Sequence, residues 1–409
     1  MNNPERQGKN IFLPAPKRRP AMGPLAIYLH FPFCRNICRY CDFYKIAYDK
    51  DSSRRLLQAV EYETDMVFSS LGYEPIEVGS IYIGGGTPSL MNPDLLERWL
   101  DHLREYINLA PDYEFTIETN PESLTDDFAR RTSRMGVNRL VIGVQSFQIS
   151  ALNTLGRRLR HKDIYKAFYL ARVAGYKNIG ADLIFGLPEQ RIKRVKSDIE
   201  RLSSLEPTHI SFYQLTVEEG TPLAKDIASG KVVLPDEDQA AAMYRYGAHM
   251  LIDSGFRRYE VSNFAPIEYR SRHNYAYWNG SPYIALGPAA HGYVNDIRYA
   301  NVADVDKYME MIDAGQLPFA FTEELTGDQK LMETVMLSLR TTEGIDKGML
   351  KIRYGNQAKK ILGGRAATRY VETGHLLDES GFLRLTDVGF LLADAIITDL
   401  IESVDSESI

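Results

Sequence analysis

The three cysteines of the chain lie in one short segment, at Cys34, Cys38 and Cys41, with the spacing C-x3-C-x2-C. A short apolar run, residues 26–31, precedes them, and Pro32 ends that run. Three thiolates in one loop can bind one face of an iron–sulfur cubane and leave the fourth iron with an open coordination position. A metal with an open position can take part in chemistry as well as hold structure. The segment therefore indicates an open cluster.

Other uses of three cysteines fit this spacing less well. A disulfide would leave one thiol over, and the N-terminus lacks the continuous hydrophobic region of a secretion signal. A structural zinc site usually brings its four ligands as two close pairs, and a fourth cysteine is missing here. His30 is a possible fourth ligand, but it lies on the strand side of Pro32. Three unrelated buried thiols rarely cluster so tightly.

Composition indicates a soluble globular protein with more than one domain. Of its 409 residues, 44% are hydrophobic and 25% are charged, and no apolar run has membrane-spanning length. Three cysteines without a secretion signal predict the reducing cytoplasm. The net charge of −6 argues against nucleic acid as a partner. A basic group at residues 17–19 is expected to belong to a solvated tail, and membrane contact is expected to be at most peripheral.

From residue 26 onward, short apolar segments alternate with amphipathic helical stretches. This alternation predicts right-handed βαβ units and a parallel sheet, and six units are too few for a closed eight-stranded barrel. The fold class is therefore α/β, with a partial (β/α)6 TIM-type barrel. The predicted strands are Ala26–Phe31, Ser80–Ile83, Glu114–Glu118, Arg139–Val144, Asn178–Ile184 and His209–Leu215, and the helices fall near 52–70, 93–109, 125–135, 163–175, 192–205 and 236–254.

Composition shifts divide the chain into four parts. Residues 1–24 are rich in proline and predict an irregular tail, and residues 25–255 carry the barrel. Residues 256–321, rich in Tyr, Asn, His and Gly, predict site-forming loops with short strands. Residues 322–409 follow a helix, helix, helix, β wing, helix pattern, which predicts a smaller α+β winged-helix-like domain. Because the chain is acidic, we expect this domain to act as a lid or packing element.

Polar residues cluster directly after the predicted strands, where parallel α/β barrels build their sites. The run Gly84–Gly86 lets backbone approach a small zwitterion because no Cβ intrudes, and the carboxylate of Glu118 suits the two hydroxyls of a ribose. Gln145, Arg157 and Asp182 can add hydrogen bonds and a charge for a carboxylate. A ligand with an amino-acid end and a nucleoside end fits this set, and S-adenosylmethionine is such a molecule.

At these motifs the chain resembles the radical S-adenosylmethionine proteins. The resemblance runs from Ile27 to the C-terminus and is similar in detail to the group that contains oxygen-independent coproporphyrinogen III dehydrogenase and the heme chaperone HemW. In that family the cofactor chelates the unique iron of a [4Fe-4S] cluster, and an electron from the cluster cleaves its S–C5′ bond. The motifs that carry the resemblance are HFPFCRNICRYCDF, YIGGGTPSL, ETNPES, RLVIGVQSF, ADLIFGLP, HISFYQLTVEEGTP and HNYAYW.

The resemblance implies a role for individual residues. Cys34, Cys38 and Cys41 match the cluster ligands. Tyr28 matches a tyrosine near the cofactor, and Tyr40 matches an aromatic position beside the adenine. Gly85, Gly86 and Thr87 match the methionine-binding loop, and Glu118 matches the ribose contact. Gln145, Arg157 and Asp182 match positions that in the dehydrogenase hold a second cofactor molecule. For Tyr28, Arg157 and Asp182 a packed or ion-paired barrel position is the alternative.

Two features favour the chaperone side of the group. Phe43 stands where the dehydrogenase has a further cysteine. The motif His273-Asn274-x-x-Tyr277-Trp278 resembles the HNxxYW sequence associated there with heme, although these residues could also only pack the loop against the barrel.

The expected function is that of a heme-binding, cluster-bearing chaperone with a recipient hemoprotein and an electron donor of flavodoxin or ferredoxin type. The alternatives are a coproporphyrinogen III dehydrogenase, a related radical enzyme on a tetrapyrrole, or a radical methyltransferase. Whether the chain is an enzyme stays open at this point.

Overall fold

The computed structural model describes residues 24–72 and 75–405. The predicted irregular tail, residues 1–24, lies outside this part of the chain except for Pro24. Twelve strands form one sheet, in the order β14-β13-β12-β11-β1-β4-β5-β6-β7-β8-β10-β9. Their bounds are β1 Leu25–Phe31, β4 Ile76–Gly85, β5 Ile107–Thr119, β6 Arg139–Gln145, β7 Asn178–Phe185, β8 His209–Gln214, β9 Arg257–Arg258, β10 Asn263–Ala265, β11 Tyr283–Leu286, β12 His291–Val294, β13 Ile297–Asn301 and β14 Phe319–Glu324.

The six predicted barrel strands pair in parallel and in chain order, from β1 through β4, β5, β6 and β7 to β8. The register places Ile27 beside Ile81, and Ile81 beside Phe115, so apolar side chains stack across neighbouring strands. β6 is buried at every position, as expected for a parallel strand covered on both faces. The prediction of a partial (β/α)6 barrel is confirmed.

Strands from the segment after residue 255 extend both sides of the barrel sheet. β11 pairs in parallel with β1, and β12 to β14 continue that side in antiparallel pairing. β10 and β9 add to β8 on the other side. The strand order ends at β14 and at β9, so the sheet stays open within the described part of the chain.

Helices lie between the strands as the alternation predicted, and side chains cap many of their N-termini. Asp49 accepts from the backbone of Ser52 at the start of α1, for example, and Asn92 precedes Pro93 in the first turn of α2. The bounds are α1 Lys50–Leu71, α2 Pro93–Leu103, α3 Asp126–Arg134, α4 Ile149–Thr154, α5 His161–Val173, α6 Ile192–Ser203, α7 Pro222–Ala228, α8 Glu237–Asp253, α9 Arg272–Trp278, α10 Val305–Asp313, α11 Gly327–Leu339, α12 Lys347–Gly363, α13 Arg365–Glu372 and α14 Ala393–Asp405.

Two predicted boundaries are wrong. The helix predicted over 93–109 ends at Leu103, and Ile107 already pairs with Ile76 as the first residue of β5. Pairing with a distant strand decides the conformation of this stretch, and local sequence does not report such a pairing. The strand expected at Glu114–Glu118 is correspondingly longer. Helix α12 contains a kink at Gly355, where φ is 55°.

The C-terminal domain has the predicted helical pattern with a β wing. Helices α11, α12 and α13 precede the wing strands β16 (Leu376–Glu379) and β17 (Phe382–Leu385), and α14 follows. A short strand, β15 (Ile345–Asp346), completes its three-stranded sheet. A further parallel pair, β2 (Phe33–Cys34) and β3 (Ile46–Ala47), lies around the cysteine segment. None of the described helices is long and apolar enough to cross a membrane.

Candidate functional site

A cavity of about 540 Å³ lies where the parallel strands of the barrel reach their carboxyl ends. Most residues that the sequence predicted for the site line it. These are Cys34, Cys38, Tyr40, Cys41, Gly85, Gly86, Thr87, Glu118, Gln145, Arg157 and Asp182. The strands bring these residues together although the chain separates them, because every parallel strand ends at the same edge of the sheet.

The cysteine segment is held in place by backbone hydrogen bonds. Tyr48 N–H donates to the carbonyl of Cys34 at 2.9 Å, next to the β2–β3 pair. Arg39 joins the segment to two helices, since its N–H donates to Leu155 O at 2.9 Å and its carbonyl accepts from Leu223 N–H at 3.0 Å. The loop that carries the thiols is therefore held by its own β2–β3 pair and, at Arg39, by contacts with Leu155 and Leu223.

The geometry of the thiols fits a cluster better than a single ion. All three cysteines are free and partly buried, and they face the same cavity. Across residues 24–72 and 75–405, no three His, Cys, Asp or Glu side chains converge on a position for one metal ion. A zinc site would need such convergence, whereas a cubane binds each thiolate through a different iron. Cys34, Cys38 and Cys41 therefore fit the predicted [4Fe-4S] cluster.

Burial disfavours the charged thiolate form of these three cysteines. Burial raises the pKa of Cys34 and Cys38, and it raises the pKa of Cys41 to about 11. The positive charge of Lys45 opposes this at all three thiols, and that of Arg157 at Cys34 and Cys38. Without a metal all three thiols are protonated at neutral pH. Because thiolates are the ligands of iron, metal binding here releases protons.

Packing explains the glycines of the Gly84–Thr87 loop. Gly85 has φ +108°, and a Cβ at this position would lie 2.7 Å from Cε1 of His30. A Cβ on Gly86 would lie 2.7 Å from the carbonyl oxygen of Phe33. We expected these glycines to make room for a ligand, and the structure shows that they also let the loop pack against the first strand and the cysteine segment.

Glu118 is a half-buried carboxylate of the cavity. Its Oε1 accepts from the Tyr82 hydroxyl at 2.6 Å, and its Oε2 accepts from the Gly85 N–H at 3.2 Å. Burial raises the pKa of Glu118 to about 7, against the lowering effect of the Tyr82 hydrogen bond. Each oxygen keeps a second lone pair for a ligand hydroxyl, as the ribose prediction requires.

Gln145 and Asp182 face the cavity from β6 and β7. Gln145 has φ 66°, an unusual conformation for a residue with a side chain, and its Oε1 accepts from the Tyr213 hydroxyl at 2.9 Å. Burial raises the pKa of Asp182 to about 6, and a hydrogen bond from Ser211 opposes this. Tyr213 and Ser211, both on β8, thus hydrogen-bond the two predicted residues Gln145 and Asp182.

Arg157 is buried in the cavity wall, with 5% of its surface exposed. Its guanidinium donates to the side-chain oxygen of Asn120 and to the carbonyl of Gly143, both at 3.0 Å. It also approaches the carboxylate of Glu122 to 4.0 Å and hydrogen-bonds the Tyr40 hydroxyl. The guanidinium is therefore positioned beside the cysteine segment.

Tyr28 differs from the other predicted cofactor residues because it does not line the cavity. It lies on β1, and its hydroxyl is hydrogen-bonded to Nδ1 of His30 at 3.0 Å. Its ring also packs 6.1 Å from the ring of Tyr82, centroid to centroid. In this structure Tyr28 supports His30 and Tyr82, which in turn contact Gly85 and Glu118.

The HNxxYW sequence forms helix α9, where a loop was expected. His273 is fully buried, with one ring nitrogen 3.0 Å from the Ser80 hydroxyl and the other 2.8 Å from the Tyr277 hydroxyl. Burial lowers the pKa of His273 to about 3, so its imidazole is neutral. Both nitrogens are occupied, which agrees with the packing alternative. Asn274 lies half-buried one residue further along α9.

Trp278 lies away from the first cavity, in a second one of about 390 Å³ between α9 and the C-terminal domain. Tyr275, Tyr354 and Phe382 line this second cavity together with Trp278. Among the described residues, none from 256–321 lines the first cavity. The segment that we expected to form the site thus contributes to the second cavity.

Asn120, Ser211 and Tyr213 are among the lining residues to which sequence reasoning assigned no contact with a cofactor. Asn120 follows Glu118 in the ETNPES motif, and Ser211 and Tyr213 lie in HISFYQ on β8. The alternation of side chains along β8 could have identified Ser211 and Tyr213, because both lie on the same face of the strand as His209.

Comparison with known proteins places the chain in a family. A model described as the radical SAM superfamily matches residues 28–202, and one described as the HemN C-terminal domain matches residues 325–392. The heme chaperone HemW of Bacillus subtilis is 33% identical over 370 residues, which cover 90% of this chain and 97% of that protein. HemW of Mycobacterium tuberculosis is 33% identical over 400 residues, covering 96% of this chain and 100% of that protein.

The fold is also that of a solved structure. Coproporphyrinogen III oxidase (HemN) from Escherichia coli, a radical SAM enzyme, superposes with a TM-score of 0.80 at 22% identity, covering 94% of this chain and 91% of that one. This likeness concerns the fold. The sequence matches show that the chain belongs to the radical SAM superfamily and, within it, to the family of the heme chaperone HemW.

Proposed function

We propose that this chain is a heme chaperone, which binds heme and passes it to a recipient hemoprotein. The observation that carries the proposal is the 33% identity to the Bacillus subtilis heme chaperone HemW over 97% of that protein. Phe43 supports the same conclusion. It lines the cavity with 67% of its surface exposed, at the place where the dehydrogenase sequence has a further cysteine.

The cavity is proposed to hold the cofactors of the superfamily. Cys34, Cys38 and Cys41 bind the [4Fe-4S] cluster, which when bound supplies an open iron and a transferable electron to S-adenosylmethionine. The loop of Gly85, Gly86 and Thr87 binds the methionine end, Glu118 the ribose, and Tyr40 the adenine. Gln145, Arg157 and Asp182 add polar contacts, and Tyr28 supports the site through His30.

The HNxxYW helix is the proposed heme contact. Trp278 presents an aromatic surface to the second cavity, which suits a flat macrocycle. Asn274 and Tyr277 lie on the same short helix. His273 can bind iron only if it exchanges its hydrogen bonds to Ser80 and Tyr277, so iron ligation there requires a rearrangement of α9.

A second candidate function is radical oxidative decarboxylation of coproporphyrinogen III or a related reaction on a tetrapyrrole. The observation in its favour is that Gln145, Arg157 and Asp182, which match the second-cofactor positions of the dehydrogenase, all face the cavity. Either function requires an electron donor, for which a flavodoxin or ferredoxin is proposed. Three free thiols also suit a reducing, cytoplasmic location.

Anaerobic heme titration tests the proposal. The purified chain is expected to bind heme about one to one and to develop a Soret band. A parallel assay with reductant, S-adenosylmethionine and coproporphyrinogen III is expected to yield no protoporphyrinogen. Product formation without a Soret band would support the dehydrogenase, and neither signal together with a methylated product would indicate a methyltransferase.

A further inference from the structure

A chain of hydrogen bonds runs from the buried Arg157 to the sulfur of Cys34. Arg157 donates to Oδ1 of Asn120 at 3.0 Å, and Nδ2 of Asn120 donates to the Thr87 hydroxyl oxygen at 3.0 Å. The Thr87 hydroxyl then donates to the sulfur of Cys34 at 3.6 Å. Thr87, Asn120 and Arg157 come from three separate sequence motifs, GGGTP, ETNPES and LGRRL, all outside the cysteine segment.

The donor and the acceptor of every hydrogen bond in this series follow from Arg157. A guanidinium can only donate, so the atom of Asn120 that faces Arg157 must be its oxygen. The amide nitrogen of Asn120 must then face Thr87 and donate to it. Because the hydroxyl oxygen of Thr87 accepts this bond, its single proton is directed to the sulfur of Cys34.

The surrounding backbone holds the chain of bonds in this arrangement. The carbonyl of Asn120 accepts from the backbone N–H of Ser123 at 2.9 Å, which fixes the turn after β5. Gly143 leaves space for the pair, because a Cβ there would lie 3.3 Å from Oδ1 of Asn120 and 3.5 Å from a guanidinium nitrogen of Arg157. No side chain at position 143 therefore competes for the contact.

We propose that Asn120 is a positioning residue for the cluster, which aims the Thr87 hydroxyl at the Cys34 sulfur and so raises the reduction potential of the cluster. Hydrogen bonds to ligand sulfurs stabilise the reduced, more negative cluster and are among the factors that set its potential. A chain that begins at a cation and ends at a thiolate polarises each of its bonds in the same sense. The inference rests on the proposed cluster at Cys34, Cys38 and Cys41.

The test is a potentiometric titration, followed by electron paramagnetic resonance, of the anaerobically reconstituted full-length chain. Thr87→Val removes the donor to Cys34 and is expected to shift the potential to a more negative value, whereas Thr87→Ser retains the wild-type potential. The matched control is Thr119→Val. Thr119 lines the same cavity, but its hydroxyl donates to the Asn120 carbonyl and not to sulfur, so its loss leaves the potential unchanged.

The variant Asn120→Asp tests whether Asn120 orients the Thr87 hydroxyl or only packs against it. Aspartate keeps the contact to Arg157 but cannot donate to Thr87, whose hydroxyl then turns to the carboxylate and leaves Cys34. The added negative charge also lowers the potential, so the variant is compared in the wild-type and Thr87→Val backgrounds. A smaller shift in the Thr87→Val background is expected, since the hydrogen bond is already lost there.

The outcomes separate the inference from the proposal on which it rests. Additive shifts of Asn120→Asp and Thr87→Val, or a wild-type potential in Thr87→Val, would overturn the positioning role. If Thr87→Val does not retain its cluster, Thr87→Ala, which also lacks the hydroxyl, takes its place in both comparisons, and a wild-type potential there overturns the inference. A wild-type chain that takes up no iron–sulfur cluster would refute the cluster proposal itself.

Discussion

The imidazole of His30 occupies the space next to Gly85 into which any side chain at that position would project. A Cβ on Gly85 would lie 2.7 Å from Cε1 and 2.8 Å from Nδ1 of the ring. His30 cannot easily move away, because its other nitrogen is hydrogen-bonded to the carbonyl of Tyr44 at 3.0 Å. The contact joins the glycine loop to the first strand and to the cysteine segment.

Gly85→Ala is therefore expected to destabilise the protein by about 2–4 kcal/mol, combining backbone strain at φ +108° with overpacking against His30. Chemical denaturation measures the change. The matched control is Gly255→Ala, where φ is +93° but no atom lies within 4 Å of the added Cβ, so only the backbone strain of about 1–2 kcal/mol is expected. Equal losses at the two positions would refute the packing contribution of His30.

Cys38→Ala is expected to abolish the iron–sulfur charge-transfer absorbance, because two thiolates cannot hold three irons of the cluster. Absorbance and iron content of the reconstituted chain provide the measurement. Asn36→Ala, a change in the same loop and the same cavity, is the control and should retain both. Full iron content in Cys38→Ala would show that this thiol is not a ligand.

The raised pKa of Glu63 predicts that the free energy of unfolding depends on pH. This fully buried carboxylate on α1 accepts from Gly287 N–H at 2.7 Å, and from the Asn301 amide and the Tyr308 hydroxyl at 2.6 Å each. Burial raises the pKa of Glu63 from 4.5 to about 7, and the three donors oppose that shift. The folded chain therefore holds this proton more tightly than the unfolded chain does.

It follows that the contribution of Glu63 to the free energy of unfolding is largest at low pH and is lost as the pH rises from 4.5 to about 7. The loss is on the order of 3 kcal/mol. Urea unfolding between pH 5 and 8 should show a smaller fall for Glu63→Gln than for the wild type. Tyr308→Phe removes a donor that lowers the pKa and should extend the fall to higher pH. Parallel curves for wild type and Glu63→Gln would contradict the assignment.

Heme bound beside α9 is expected to quench the fluorescence of Trp278. The chain has two tryptophans, and Trp99 is fully buried in the barrel with its indole N–H donating to Thr64 at 3.1 Å. In the variant Trp99→Phe, all tryptophan emission comes from Trp278, which lines the second cavity. Saturable quenching in step with the Soret band would support the site, and Trp278→Phe, which keeps Trp99, serves as the control for distant quenching. A Soret band without quenching in Trp99→Phe would place heme elsewhere.

Much of the fold and of the site follows from local sequence. The alternation of β-branched runs with amphipathic stretches is a local pattern, and it predicted the six parallel strands of the barrel because strand–helix–strand units form parallel sheets. The C-x3-C-x2-C spacing and the polar residues after the strands are local patterns as well. Each lies at a position that its own strand defines, so cysteines, glycines and Glu118 could be assigned to one edge of the sheet.

Other features depend on contacts between distant parts of the chain. β11 joins the sheet beside β1, so residue 285 pairs with residue 28, and local patterns do not report such a partner. The burial of His273 depends on β4, where the Ser80 hydroxyl lies 3.0 Å from its ring nitrogen although it is 193 residues away in sequence. The role of Asn120 depends on a guanidinium that the chain supplies 37 residues later.

The sequence by itself determined the chemistry that the protein can bind, because three clustered thiols and a set of polar strand ends are recognisable one by one. Only the tertiary structure decided which groups are free to act. It brings the thiols, Glu118 and Arg157 around one cavity and directs the Thr87 hydroxyl toward Cys34. It also encloses His273, the histidine of the heme-associated motif, in hydrogen bonds. Hydrogen-bond partners and burial arise from packing across the fold, and for that reason no local pattern specifies them.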